Sequence, residues 1–109
     1  MNPSKHKGDR GELELARLLE AELGIRVQRK LGAGRKEDTG DLHGLAFPVQ
    51  AKNYVDITRA LREALNGARD QRQNAGAPCA AGAVRLRGGR WAIVMDLEDW
   101  CFLYREAIQ

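Results

Sequence analysis

Four polar residues of the sequence have types and spacings that suit a catalytic site. Glu12 lies on the apolar stripe of a predicted helix, in its first turn. Gln50 and Lys52 alternate with apolar residues in the segment FPVQAKN, so they share one face of a predicted strand. Asp41 begins the preceding predicted strand, and a tight connection near Gly44 would return that strand beside them. Together these residues predict one polar site built from a helix and two strands.

The oxygen atoms of this set suit a hard divalent cation such as Mg²⁺ or Mn²⁺. The carboxylates of Glu12 and Asp41 would bind the cation directly. The amide oxygen of Gln50 and the backbone carbonyl of Ala51 would complete the set. A cation held there would polarise a phosphoryl oxygen, while the Lys52 ammonium would activate the attacking water or stabilise the phosphate in the transition state. These are the parts that phosphodiester hydrolysis requires.

Each of these residues, taken alone, has a simpler explanation. A carboxylate in the first turn of a helix, such as Glu12, commonly stabilises the helix dipole. An aspartate followed by Q-x-K on an exposed sheet face arises often by chance. The case for a site therefore depends on convergence of the four residues, which a small α/β oligomerisation domain with a basic edge would not show.

The elements that would position these residues follow from apolar periodicity and turn residues. Helices alternate with strands in the order α-β-β-β-α-β-β-α, which predicts an α/β fold with one mixed five-stranded sheet covered by helices. The first helix is predicted over residues 9–23. The second begins after the N-cap Asp56 and ends before Gly76, and the third spans Glu98–Ala107. Gly88-Gly89 predicts a hairpin turn.

The composition is that of a globular domain, with 109 residues of which 43% are hydrophobic and 30% charged. Residues 1–7 are predicted to be a flexible basic tail of a single domain over 1–109. No apolar run is long enough to span a bilayer, and the N-terminal segment lacks the apolar core of a secretory signal. Cys79 and Cys101 are predicted to be buried free thiols. We therefore expect a cytoplasmic protein without a membrane partner.

The formal charge is +3, and its placement is compatible with a phosphate backbone as partner. Five of the basic residues fall within the eleven positions 26–36. A solvated strand edge and loop would explain the same charges. The residues that we expect to contact phosphates are Lys7, Arg10, Arg29, Lys30, Arg35 and Lys36.

Residues 7–54 resemble the core of the PD-(D/E)XK nucleases, most closely the archaeal-type and phage Holliday-junction resolvases. The resemblance is carried by KGDRGELELARLLE in the first helix, by GDLHG and by VQAKNY. In that family a helix glutamate, an aspartate at the start of the second strand and an E-x-K on the third strand form the site. The matching positions here are Glu12, Asp41, Gln50 and Lys52.

The resemblance implies a restriction-endonuclease-like core and a Mg²⁺- or Mn²⁺-dependent endodeoxyribonuclease. Its substrate would be branched DNA, such as the four-way junction of DNA recombination and repair. The resemblance also implies a homodimer that presents two sites to the junction, in the cytoplasm of a bacterial or phage-infected cell.

One position departs from the family pattern, because Gln50 stands where the family has an acid. A neutral amide oxygen still binds a cation, but with lower affinity than a carboxylate. An active natural variant, a degenerate relative and an engineered inactive form are all compatible with this residue. The alternative functions are another small endonuclease or nickase of the same superfamily, and a non-catalytic DNA-binding relative.

The C-terminal segment DWCFLYREAI predicts an interaction surface. It concentrates Trp100, Phe102 and Tyr104 within a few residues of each other. A domain of this size rarely covers so many large apolar groups alone, so this segment is the predicted dimer interface.

Overall fold

The computed structural model describes the backbone of residues 3–30 and 40–109, and within them the side chains from residue 7 onward. Three helices and five strands lie in this part of the chain, in the predicted order. None of these helices has the length and apolar character needed to cross a membrane. The bounds are α1 Pro3–Leu23, β1 Gln28–Arg29, β2 Leu42–His43, β3 Val49–Lys52, α2 Ile57–Ala75, β4 Ala81–Arg85, β5 Trp91–Val94 and α3 Leu97–Ala107.

The strands form two small sheets, so the prediction of one five-stranded sheet is wrong. β1 pairs antiparallel with β2, while β3, β4 and β5 form a mixed sheet in which β3 and β4 are parallel. A backbone hydrogen bond of 3.1 Å from the Asp41 N–H to the Val49 carbonyl joins the two sheets. The pairing does not extend further because Gly44, with φ +101°, turns the chain after β2, and Pro48 has no N–H to donate.

β3 lies between α1 and α2, and the alternation of its side chains divides its residues between the two helices. Val49 and Ala51 pack in the same apolar cluster as Leu15 of α1. On the opposite face of the sheet, a row of buried alanines of α2 packs against β4. The side chains of Gln50 and Lys52 therefore lie on the α2 side of β3.

α1 begins earlier than the sequence predicts. Its first residue is Pro3, so residues 3–7, predicted as a flexible tail, belong to the helix. Proline favours this position because its fixed φ is already helical and the first turn needs no donated N–H. The helix ends at Leu23 as predicted, where Gly24 adopts φ +68° and its N–H donates to the Glu20 carbonyl at 3.0 Å.

The remaining boundaries confirm the predictions made from caps and turns. The Asp56 carboxylate accepts from the Arg59 N–H at 3.1 Å at the start of α2, and Gly76 ends that helix with φ +60°. Gly88 and Gly89, with φ of +79° and +81°, turn the chain between β4 and β5. α3 begins one residue before the predicted Glu98 and ends at the predicted Ala107.

Both cysteines are free thiols, although only Cys79 is fully buried, while Cys101 is half-buried. Burial, together with the nearby Asp99 carboxylate, raises the pKa of the Cys79 thiol. Cys79 therefore stays protonated at neutral pH and packs as a small apolar residue.

Candidate cation site

Asp41 immediately precedes β2, with its carboxylate against the edge of β3 that faces away from β4. Its Oδ2 accepts a hydrogen bond from the Ala51 N–H at 2.7 Å. Its own backbone N–H donates to the Val49 carbonyl, so the residue is fixed on both sides. Because the N–H and C=O of one strand residue point to the same edge, the Ala51 carbonyl also lies on the Asp41 side of β3. The structure therefore places the Asp41 carboxylate beside the Ala51 backbone, as the sequence predicts.

Glu12 reaches the same region from α1. Burial raises the pKa of its carboxyl, and the charge of Asp41 raises it further. Arg29 acts in the opposite direction, since its Nε lies 3.4 Å from Glu12 Oε2. The two carboxylates are thus close enough to repel each other, and Arg29 offsets only part of the combined effect of burial and repulsion on the pKa of Glu12. Such a pair of like charges is typical of functional sites.

Arg29, a predicted phosphate contact, forms ion pairs within the protein. One terminal nitrogen donates to Asp9 Oδ1 at 2.7 Å, and its Nε approaches Glu12. Arg29 therefore ties β1 to α1 and orients the Glu12 carboxylate. Asp9 was not among the predicted site residues. Its spacing of three from Glu12, which places both acids on one helix face, is the signal that could have identified it.

Gln50 points to the opposite side of β3. Its amide is 8% exposed, and its Oε1 accepts a hydrogen bond from Nε2 of the fully buried Gln71 of α2. The amide also packs against Gly67, where an added Cβ would lie 2.9 Å from Gln50 Oε1. The oxygen that the sequence predicts as a cation ligand is therefore bonded to α2, and the structure does not bring Gln50 together with Glu12 and Asp41 as predicted.

Lys52 lies two residues after Gln50 on β3, so its side chain is on the same α2 side of the strand. Its Nζ is 5.5 Å from the centroid of the Tyr54 ring. The Tyr54 hydroxyl donates to Glu63 Oε1 at 3.1 Å. Arg59 chiefly, and Lys52 to a smaller extent, hold the pKa of the Glu63 carboxyl below its usual value. Tyr54 and Glu63, which sequence reasoning missed, thus position the lysine.

Three other predicted phosphate contacts lie in the described part of the chain: Lys7, Arg10 and Lys30. Arg10 is exposed on α1, two residues before Glu12. The backbone carbonyl of Lys7 accepts from Asn53 Nδ2 at 3.1 Å, which holds the start of α1 beside the end of β3. The Lys30 N–H donates to the Asp41 carbonyl at 2.8 Å, so this lysine adjoins the site. Arg35 and Lys36 lie outside the described residues.

Within residues 7–30 and 40–109, no group of three or more His, Cys, Asp or Glu side chains could hold a metal ion. A cation at the Glu12–Asp41 pair would therefore depend on two carboxylates and on neutral oxygens. Mg²⁺ fits such a set, because it is commonly bound through one or two carboxylates and keeps several waters.

The raised pKa of Glu12 predicts how stability changes with pH. A carboxyl whose pKa is higher in the folded than in the unfolded protein makes folding less favourable as pH rises through that pKa. We expect Glu12→Gln to remove this loss, so that the variant gains stability relative to the unsubstituted protein as pH rises above about 4.5, the ordinary pKa of a glutamate. Urea unfolding in the presence of a chelator measures the difference.

The same substitution in an Asp41→Asn background is the control for this pH effect. The gain should shrink there, because the repelling charge of Asp41 has been removed. A gain of equal size in both backgrounds would show that Asp41 does not act on Glu12.

Comparison of the chain with models of protein families, with curated proteins and with solved structures found no match. The arguments for a function therefore come from the residues of this chain: a pair of coupled carboxylates, the backbone of β3 beside them, and basic residues nearby.

Proposed function

We propose that this protein is a Mg²⁺- or Mn²⁺-dependent endonuclease that hydrolyses phosphodiesters in branched DNA, in the manner of a Holliday-junction resolvase on a restriction-endonuclease-like core. The observation that carries the proposal is the coupling of Glu12 and Asp41 beside the Ala51 backbone. A carboxyl whose pKa is raised by burial and by a second carboxylate beside it forms, with that carboxylate, a site that a divalent cation would stabilise.

Glu12, Asp41 and the Ala51 carbonyl would hold the cation, since all three provide the hard oxygens that Mg²⁺ and Mn²⁺ prefer. When bound, such a cation supplies Lewis-acid polarisation of the scissile phosphate and neutralises charge on the leaving oxygen. The Ala51 N–H orients the Asp41 carboxylate, and Arg29 orients that of Glu12. Both acids are therefore positioned before any substrate arrives, which is what electrostatic catalysis requires.

Lys52 is the proposed cationic group for the attacking water and the phosphate. Its side chain leaves β3 on the α2 side, like that of Gln50, so the length of the lysine would have to bring its ammonium to a phosphate at the outer edge of the strand. It directly follows Ala51, and the Tyr54 ring holds its ammonium in place. Tyr54 is itself fixed through its hydroxyl to Glu63. This arrangement limits the rotamers of a long side chain, so less entropy is lost when the ammonium engages a phosphate.

Phosphate contacts by the basic residues would supply most of the affinity for DNA. We expect Arg10→Ala to weaken junction binding and to lower the slope of log affinity against log salt by about 1, because one phosphate contact is lost. Arg62→Ala is the matched control, as Arg62 is an exposed arginine of α2 that is not among the predicted phosphate contacts. Fluorescence anisotropy with Ca²⁺ in place of Mg²⁺ measures both. Equal losses for the two variants would contradict this assignment.

A homodimer is proposed through the exposed apolar face of α3. Its members are Leu97, Trp100, Tyr104 and Ile108, which recur at helical spacing and are each at least half exposed. The Trp100 and Tyr104 rings, with centroids 5.3 Å apart, lie between Leu97 and Ile108 on this face. Each side chain offers on the order of 100 Å², so these four in two copies would bury roughly 800 Å² as the apolar centre of a larger interface.

We expect Trp100→Glu to convert the dimer into a monomer, because it places a charge at the centre of the buried patch. Val55→Glu is the control, since Val55 is an apolar residue that is 87% exposed elsewhere on the surface. Sedimentation velocity distinguishes the two species. A protein that sediments as a monomer before substitution would overturn the dimer.

A non-catalytic DNA-binding relative is the second candidate function. The observation in its favour is the hydrogen bond between Gln50 and Gln71, which engages the amide oxygen at the position of the family's acid. This candidate predicts DNA binding without cleavage under any divalent cation. Another small endonuclease or nickase of the same superfamily would cleave, but without a preference for branches.

One assay separates these possibilities. The protein is incubated with a four-way junction and with a linear duplex of matching sequence, with Mg²⁺, Mn²⁺ or a chelator. We expect cation-dependent cleavage of the junction and little cleavage of the duplex. Equal cleavage of both would favour a general endonuclease, and binding without cleavage would favour the DNA-binding module.

A further inference from the structure

Gln50 occupies a notch in α2 that exists only because residue 67 is glycine. A Cβ at Gly67 would lie 2.9 Å from Gln50 Oε1 and 3.0 Å from its Cδ and Cγ. Real Cβ atoms do not approach carbons and oxygens so closely, so any other residue at 67 would displace the amide. A glycine in the middle of a 19-residue helix reduces helix stability, and here its position is explained by this contact.

Gln71 closes the notch from the next turn of α2. Its side chain is fully buried, and its Nε2 donates to Gln50 Oε1. Gln50 itself is 8% exposed. A buried amide pair of this kind is favourable only while both partners remain in place, because a buried donor that loses its acceptor has no water to replace it.

We infer that Gly67 and Gln71 form a seat that holds the side chain of residue 50 away from the cation, with Gln71 as its positioning residue. The inference rests on the proposed function, whose cation is held by Glu12, Asp41 and the Ala51 carbonyl. The acids lie at the α1 side and the outer edge of β3, whereas the amide points to α2. A carboxyl group in the seat would lose its hydration, so its neutral, protonated form would be favoured there.

The first test is the Mn²⁺ dissociation constant of the purified protein and of Gln50→Met, measured by calorimetry. Methionine keeps the length of the side chain but offers no oxygen. We expect the constant to change less than about threefold, because residue 50 is not a ligand. Weakening of Mn²⁺ binding by about tenfold or more, the effect of removing a ligand, would overturn the inference.

Gln50→Glu gives the sharper contrast, because it supplies the acid that the family resemblance leads one to expect. A glutamate that stays in the seat leaves the Mn²⁺ constant unchanged and makes stability fall as pH rises through its raised pKa. A glutamate that leaves the seat for the cation would tighten Mn²⁺ binding at least tenfold, and the inference would be wrong.

The seat itself is tested by unfolding, without any cation. Gln71→Met is expected to raise the unfolding equilibrium constant about tenfold or more, since Gln50 loses its buried donor. Gln73→Met, the same change at an exposed position of α2, should alter it less than about threefold. Equal effects at 71 and 73 would overturn the seat.

The two sets of measurements separate this inference from the proposed function. A protein that binds no Mn²⁺ would overturn the proposed function and the cation part of the inference together. Unfolding of the Gln71 and Gln73 variants would still decide whether the seat exists.

Discussion

Asp41→Asn is expected to reduce Mn²⁺-dependent cleavage of a four-way junction on the order of a thousandfold. The substitution removes one of two carboxylates that would hold the cation, and with it half of the negative charge of the site. Asparagine retains an oxygen that can accept from the Ala51 N–H, a bond of 2.7 Å in the native protein, so the local fold should persist. Single-turnover cleavage rates measure the effect, and circular dichroism checks the fold.

The matched control is Asp9→Asn, which also removes an acid near Glu12 but leaves the edge of β3 intact. Asp9 acts on the site through Arg29, so we expect a loss of no more than about tenfold. Junction binding with Ca²⁺ should be nearly unchanged in both variants. An Asp41→Asn variant that keeps a tenth or more of the activity would show that this carboxylate does not hold the cation.

Asp99→Ala is expected to cost about 3–5 kcal/mol of unfolding free energy, the largest effect on stability that we predict. Asp99 lies on α3 and is 4% exposed. Its Oδ1 accepts from Arg72 of α2 at 2.5 Å, and its Oδ2 accepts from the Ala80 N–H at 3.1 Å. Removing the carboxylate would leave both the guanidinium and the backbone N–H of Ala80 without this acceptor.

Glu98→Ala is the control for this prediction, because Glu98 approaches the same arginine from the solvent. Its side chain is 76% exposed and 3.6 Å from Arg72, so the change should cost less than about 1 kcal/mol. Urea unfolding of both variants gives the comparison. Similar losses for the two would mean that α3 is held by its apolar contacts and not by the buried ion pair.

The helices and turns could be predicted from the sequence because their signals are local. Asp56 and Gly76 cap α2 through contacts within four residues of themselves. Gly88 and Gly89 adopt the positive φ that the hairpin requires. The predicted start of α1, residue 9, lies after the observed start at Pro3, because a run of lysine and polar residues carries no apolar periodicity even where it is helical.

The contacts that could not be predicted join residues far apart in the chain. Glu14, which falls off the apolar stripe of α1, accepts hydrogen bonds from Trp91 Nε1 at 2.7 Å and from Arg85 Nε at 3.0 Å. These bonds lower the pKa of its carboxyl and tie α1 to the β4–β5 hairpin. Nothing in the neighbourhood of Glu14 in the sequence indicates partners more than 70 positions away.

The candidate site was predictable in part for the same reason. Helical spacing predicts that Glu12 faces the sheet, and the turn near Gly44 predicts that Asp41 lies beside the strand that carries Gln50 and Lys52. Strand alternation also showed that Gln50 and Lys52 share one face. Which helix covers that face depends on the packing of α2, so the pairing of Gln50 with Gln71 could be read only from the structure.

Binding of Mn²⁺ to the purified protein, followed by electron paramagnetic resonance, tests the central claim most directly. The signal of free Mn²⁺ should fall as protein is added, with saturation at one tightly bound ion per chain. The same titration with Asp41→Asn should leave the ion largely free. If the native protein leaves Mn²⁺ free in solution, or if Asp41→Asn binds it equally well, Glu12 and Asp41 do not form a cation site.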